Sequence, residues 1–165
     1  MDEAADWPHQ LRGLLESLLR VLREHPSASS MLLTGDKLNS EAALEATETT
    51  LEVLRRAGFD AQRAAAIARS ALWTGLMLVM SEPGFEPGMT EPDRAEMLRQ
   101  SRVQLALLPP DRYPRLTEAA VPLTACDDPD LHYRFGVDLF IGGVQAVART
   151  ADGPPPPATP AQAAG

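Results

Sequence analysis

Apolar residues recur at helical spacing along much of this chain, most extensively between Asp130 and Arg149. On a helix this stretch has one face of large apolar side chains and a second face of mostly small ones. The first face holds Val137, Phe140, Ile141, Val144, Val147 and Ala148, and the second holds Phe135, Gly136, Leu139, Gly142, Gly143 and Ala146. A helix that covers a single core has an apolar stripe a little over ~100° wide. Because this stretch is apolar over much more, we expect one face to serve its own domain and the other a partner.

The remaining pattern also has the helical period. Helices are predicted over residues 6–24, 40–57, 61–81, 92–108, 116–123 and 130–149. The fourth is expected to bury its apolar residues Met97, Leu98, Leu105 and Leu108. Ser40 and Asp60 are suited to cap the second and third helices, and Gly58 is a natural helix stop. No segment alternates as a strand does. The predicted fold is an all-α, antiparallel bundle of about six helices.

The third predicted helix is two-sided as well. Its most regular row consists of small residues and one leucine: Ala64, Ala68, Ala71, Gly75 and Leu78. Trp73, Met77 and Met80 project from the opposite side. We expect the small row to face outward, where another helix can approach closely, and the bulky side to face inward.

An apolar pocket is therefore predicted between the first four helices. Its expected lining is apolar: Leu14, Leu18, Met31, Leu51, Trp73, Met77 and Met97. Polar groups for it are available from Thr47, Ser70, Thr74 and Gln104. Ordinary core packing is the alternative explanation for each of these residues.

Composition and charge narrow the functional classes. The net charge of −8 and the pI near 4.8 argue against DNA binding by these residues, which needs clustered Lys and Arg. No apolar run approaches the ~20 residues of a membrane span. With a single cysteine and no targeting segment, a cytoplasmic protein is expected.

Residues 150–165, rich in Ala and Pro, are predicted to form a disordered tail.

Residues with catalytic potential are scattered. His9, His25 and His132 lie far apart without ligands at metal-binding spacing, and Cys126 has no positioned histidine. The Gly142-Gly143 pair lies within a helix and not in a phosphate loop. We therefore expect no metal, no cofactor and no enzymatic activity.

Three stretches together resemble the C-terminal, effector-binding and dimerisation domain of tetracycline-repressor (TetR) family regulators. They are Asp6-Trp-Pro-His-Gln-Leu through His25-Pro26, Leu51-Glu-Val-Leu-Arg-Arg-Ala-Gly-Phe59 with the alanine-rich helix after it, and Tyr113-Pro-Arg-Leu116 with the segment from Phe135 to Val144. The resemblance covers residues 6–148. It implies a homodimer built through a four-helix bundle, and a small apolar effector that relieves repression.

The resemblance places the whole ligand-binding and dimerisation domain within residues 1–149. The expected dimer contacts are the two small-residue rows, with Ala64, Ala68, Ala71, Gly75 and Leu78 in one and Gly136, Leu139, Gly143 and Ala146 in the other. The family's N-terminal helix-turn-helix domain is missing from these residues, so operator DNA is an expected partner only through such a domain. The alternative is a headless protein that binds small molecules or forms inactive dimers with an intact regulator.

Overall fold

The computed structural model describes residues 6–25, 40–82, 88–124 and 129–151. Within these ranges the chain forms seven helices and no strand. They are α1 (Trp7–Glu24), α2 (Glu41–Arg56), α3 (Ala61–Met80), α4 (Glu91–Ala106), α5 (Pro114–Glu118), α6 (Ala120–Thr124) and α7 (Pro129–Ala151). The all-α prediction is confirmed. The predicted short helix around 116–123 is in fact two helices that meet at Ala119.

The predicted caps explain where α2 and α3 begin. The Ser40 hydroxyl accepts a hydrogen bond from the Ala43 amide at 3.2 Å, and the Asp60 carboxylate accepts one from the Arg63 amide at 2.8 Å. Each cap satisfies an amide that has no partner within the helix. Between the two helices Gly58 has a φ of +90°, which glycine adopts without strain. The chain therefore turns directly from α2 into α3.

Four helices enclose the main core. α1 contacts α2, α3 and α7, and α3 also contacts α2 and α7. α1 contributes Leu11, Leu15, Leu19 and Leu22, which are 1–4% exposed. The Arg12–Asp138 and Arg23–Asp130 ion pairs show that α7 runs antiparallel to α1. We call α1, α2, α3 and α7 the four-helix core.

Helices α4, α5 and α6 form a second unit. They contact one another, and none of their Cα atoms lies within 8 Å of a Cα atom in the helices of the four-helix core. The Arg102 guanidinium joins α4 to α6 by donating to the Thr124 hydroxyl at 3.1 Å. No residue of α4 is buried, although burial of Met97, Leu98 and Leu105 was expected. We call residues 88–124 the arm.

Candidate functional site

The last helix has two apolar faces, as expected from its sequence. Val137, Ile141 and Val144 face the core and are 1–6% exposed. The second face points away from it: Phe135 and Leu139 are 61% and 62% exposed. This outward row, which we call the seam, consists of Phe135, Leu139, Gly142, Gly143 and Ala146, all of them exposed. Val147 is an exception to the predicted core face, because it is 47% exposed.

The prediction for the faces of α3 was wrong. The small row points inward: Ala64 is 0% exposed and Ala71 is 7% exposed. At Gly75 an added Cβ would lie 2.9 Å from Cδ2 of Leu18, so this glycine allows α1 to approach closely. Ala68 is half-buried against the same core. Ala64, Ala71 and Gly75 are buried within their own chain and are not available to a second copy.

Leu78 and Gly136, also expected at the dimer contact, meet each other within one chain. A Cβ added at Gly136 would lie 2.8 Å from Cδ1 of Leu78 and closer still to Cδ2. Gly136 therefore admits the leucine of α3 into the surface of α7. Among the predicted contact residues, Leu139, Gly143 and Ala146 are the ones that the described chain exposes.

The bulky side of α3 lines a groove on the outer surface. Trp73 is 38% exposed and Met77 45% exposed, although both were expected to point inward. They lie in a cleft of about 530 Å³ between α3 and α7. Its lining is Trp73, Thr74, Met77, Leu78, Ser81, Gly136, Leu139 and Phe140. We call this cleft the Trp73 groove; Thr74 supplies one of the polar groups anticipated from the sequence.

The other predicted pocket residues do not join Trp73. Leu14, Leu18 and Leu51 are half-buried, and Leu18 and Leu51 pack on the core. Met97 lies on α4, whose helix does not contact α1, α2 or α3. Met31 lies outside the described residues. The arrangement expected between the first four helices is therefore wrong, because α4 belongs to the arm and Trp73 faces outward.

A second, more polar cleft lies between α1 and α7. It measures about 620 Å³ and has Leu19, Tyr133 and Val137 among its lining residues. Its charged lining residues are Glu16, Arg20, Arg23, Glu24, Asp130 and Arg134. This cleft was not predicted from the sequence. The arginines and glutamates at spacings of three and four on α1 were its available signal, but they equally suit a solvated helix face.

Hydrogen bonds tie the helices together at one end of the core. The Tyr133 hydroxyl donates to the Glu82 carboxylate at 2.7 Å, and Nε2 of His132 lies 2.8 Å from the carbonyl oxygen of Leu78. The Arg23 guanidinium lies 4.4 Å from the centre of the Tyr133 ring. These contacts fix the end of α3 beside the start of α7, where the chain leaves for the arm and returns from it.

The pKa values of two side chains on the arm, Glu96 and Arg99, are shifted from their ordinary values. Arg99 donates two hydrogen bonds of 2.7 Å to the Glu96 carboxylate, and Gln100 donates one of 2.8 Å. These bonds, the one from Arg99 first, lower the pKa of Glu96 to about 2. The same pairing raises the pKa of Arg99. Both groups are at the surface, where such pairs contribute to a local helical turn more than to global stability.

Metal-binding clusters are not assembled in the part of the chain that the structure describes. No three His, Cys, Asp or Glu side chains of these segments are grouped as metal ligands. Cys126 and the neighbouring Asp127 and Asp128 lie outside them. None of the described helices combines the length and the hydropathy that a bilayer crossing requires.

The described helices thus form an all-α core with an exposed small-residue seam and an open apolar groove beside it. A family model described as "Tetracyclin repressor-like, C-terminal domain" matches residues 1–148. The chain therefore belongs to the TetR family through this C-terminal domain, which is a ligand-binding and dimerisation module and points to a regulator and not to an enzyme. No curated protein and no solved structure matches the chain significantly.

Proposed function

We propose that this chain is the effector-binding and dimerisation module of a TetR-like repressor whose repression is relieved by a small apolar ligand. In this proposal the operator is contacted by a helix-turn-helix domain that residues 1–165 do not include, and the module works in the cytoplasm. The observation that carries the proposal is the seam of α7, an apolar row that the described part of its own chain leaves uncovered.

The seam suits pairing with its own symmetry mate. α7 has 23 residues and, at about 1.5 Å per residue, is long enough to present several turns to a partner. Gly142 and Gly143 are exposed, and a Cβ added at either would meet no other group within 4 Å. Small residues at these positions let two helix backbones approach closely. An isologous contact would pair each seam with the same residues of the other copy and remove their apolar surface from water.

Sedimentation of Gly143→Glu tests the dimer. The change places two carboxylates near the two-fold axis without partners, which costs several kcal/mol in a buried interface. We expect the wild type to sediment as a dimer at micromolar concentration and Gly143→Glu as a monomer. Gly13→Glu is the matched control, because Gly13 is exposed on α1 with no neighbour within 4 Å. A monomeric wild type, or a fully dimeric Gly143→Glu, would show that the seam is not the interface.

The Trp73 groove supports the effector part of the proposal. The groove measures about 530 Å³ and is largely open to solvent, so a small ligand could lie against it without being enclosed. Its lining combines apolar side chains with the hydroxyls of Thr74 and Ser81. These groups suit a small apolar ligand that carries one or two polar atoms. Trp73 and Met77 thus remain proposed ligand contacts, now with Leu139 and Phe140 opposite them.

Tryptophan fluorescence tests the effector site, and native mass spectrometry shows whether the purified protein retains a ligand. In a Trp7→Phe variant, Trp73 is the only remaining tryptophan. We expect a ligand retained by protein purified from its own host to shift Trp73 emission, and the shift to disappear when the ligand is removed. Trp7 packs edge-on against Phe59 at 5.6 Å and serves as the control, since a Trp73→Phe variant should show no such shift. A retained ligand that changes only Trp7 emission would place the site elsewhere.

A further inference from the structure

The polar cleft between α1 and α7 lies apart from the seam and from the Trp73 groove. It shares no lining residue with either surface. Three of its lining side chains form an apolar floor, since Leu19, Tyr133 and Val137 are 4%, 6% and 1% exposed. Charged side chains surround this floor. The cleft therefore offers an apolar surface of small-molecule size inside a charged rim.

The rim of this cleft carries equal numbers of positive and negative side chains. Three guanidinium groups and three carboxylates line it: Arg20, Arg23 and Arg134, and Glu16, Glu24 and Asp130. A ligand with a net charge of either sign would meet like charges there, and such contacts oppose binding. A ligand that carries both signs would find a complementary group for each. The charge pattern therefore favours a zwitterion.

Two charges of the rim have no partner among the described residues. Arg20 and Glu24 are exposed and lie one helical turn apart on α1, where side chains are neighbours. Neither side chain forms an ion pair or a hydrogen bond with another described residue, whereas Arg23 pairs with Asp130 at 3.5 Å. An arginine that precedes a glutamate is also the less favourable order for pairing along a helix. One cation and one anion are thus available together beside the apolar floor.

We propose that this cleft binds a small zwitterion with an apolar body, of the kind that an apolar α-amino acid provides. Arg20 would bind the ligand's carboxylate and Glu24 its ammonium group, while the apolar body lies on Leu19 and Val137. A guanidinium can donate two parallel hydrogen bonds to a carboxylate, which fixes the orientation of the bound molecule. The site depends neither on the seam dimer nor on the effector groove, because it shares no residue with them.

Three compounds of matched shape test the charge requirement in the full chain. L-Phenylalanine carries both charges, hydrocinnamate lacks the ammonium group and phenethylamine lacks the carboxylate. Calorimetry measures the affinities, and the NMR shifts of the Leu19 and Val137 amides locate the bound compound. We expect L-phenylalanine to bind at least about tenfold more tightly than either analogue.

Three results of this comparison would overturn the proposal. Equal affinity for the three compounds would show that the charges of the rim do not select the ligand. No detectable binding of L-phenylalanine at about 10 mM would show that the cleft is not a site for this class. Shifts confined to Trp73 and Met77 would place the compound in the Trp73 groove.

Two variants assign the charges to their partners. Arg20→Gln and Glu24→Gln each remove one exposed charge, so the fold should be kept. Each should weaken the binding of L-phenylalanine about tenfold. Arg20→Gln should not weaken phenethylamine, and Glu24→Gln should not weaken hydrocinnamate, because each analogue lacks the group that the altered side chain would bind.

Matched control variants separate this site from a general effect of charge. Arg69→Gln and Glu48→Gln remove exposed charges on α3 and α2, outside the cleft, and should bind L-phenylalanine as the wild type does. Equal weakening in these controls, or full affinity in both Arg20→Gln and Glu24→Gln, would refute the assignment of the two groups. The oligomeric state and Trp73 emission should stay unchanged in all four variants, so a failure here leaves the proposed dimer and effector site untouched.

Discussion

Gly136 of α7 lies in close contact with Leu78 of α3, and Gly136→Ala tests that packing. A Cβ at this position would lie 2.8 Å from Cδ1 and 3.1 Å from Cγ of Leu78. Since real Cβ contacts essentially never fall below 3.0 Å, the methyl groups of Leu78 must move, and its Cγ must give by a few tenths of an ångström. Moving it also disturbs the Trp73 groove, which Leu78 lines.

The expected change in the free energy of unfolding for Gly136→Ala combines two opposing effects. Extra methyl groups in a packed site cost about 1–3 kcal/mol. Replacing glycine by alanine within a helix contributes about 0.8–1.0 kcal/mol of stability. Gly13→Ala provides the second effect alone, because nothing lies within 4 Å of its added Cβ. We therefore expect Gly13→Ala to raise the free energy of unfolding and Gly136→Ala to fall about 1–3 kcal/mol below it.

Urea denaturation of monomeric Gly143→Glu protein measures both changes without a contribution from dimerisation. Leu78→Ala should remove the destabilisation caused by Gly136→Ala. In that background the added methyl group no longer meets the leucine, so Gly136→Ala should change the free energy of unfolding as Gly13→Ala does. The double-mutant cycle would then give a coupling energy of about 1–3 kcal/mol between the two positions. Equal stabilisation by Gly136→Ala and Gly13→Ala would refute the close approach of the two helices.

Three further changes test other parts of the structure. Ala71→Glu, at a position that is 7% exposed, should lower the melting temperature of the single chain; a normally folded monomer would refute the inward orientation of this row. Tyr133→Phe should cost about 0.5–1.5 kcal/mol in denaturant unfolding by removing the hydrogen bond to Glu82, and a neutral result would contradict that contact. The pKa of Glu96 is lowered to about 2, so its contribution to the arm is complete above the ordinary value of 4.5 and is lost as the pH falls towards 2. NMR titration of the Glu96 carboxyl should show its pKa rising towards the ordinary value in the Arg99→Ala variant and at high salt.

Local signals in the sequence were sufficient for the helices and their caps. Ser40 and Asp60 have side chains that satisfy the first helical amides, and Gly58 has the positive φ that a helix stop requires. The two faces of α7 were also predictable, because a helix with Val137 and Ile141 on one side and Gly142 and Gly143 on the other has too much apolar surface for one contact. These features depend on neighbours within a few residues along the chain.

The position of α4 was not predictable in the same way. Its apolar residues Met97, Leu98 and Leu105 suggested a fourth core helix, but α4 packs on α5 and α6. A helical period in the apolar residues indicates that one face of the helix is covered by other parts of the protein. It does not indicate which element covers that face. Because α4 lies outside the four-helix core, a pocket that required Met97 beside Trp73 could not be formed within one chain.

The orientation of α3 shows the same limit most clearly. A row of small residues permits close approach of any helix, so Ala64, Ala71 and Gly75 suit contact with α1 as well as contact with a second copy. What decides between them is the size of the opposing side chain: Leu18 of α1 comes within 2.9 Å of where a Gly75 Cβ would be. Once α1 occupies the small row, Trp73 and Met77 must turn outward, since the two sets lie on opposite sides of the helix. The outward aromatic and methionine side chains then border the seam of α7, so that the surfaces proposed for effector binding and for dimerisation share Leu139 and are physically adjacent.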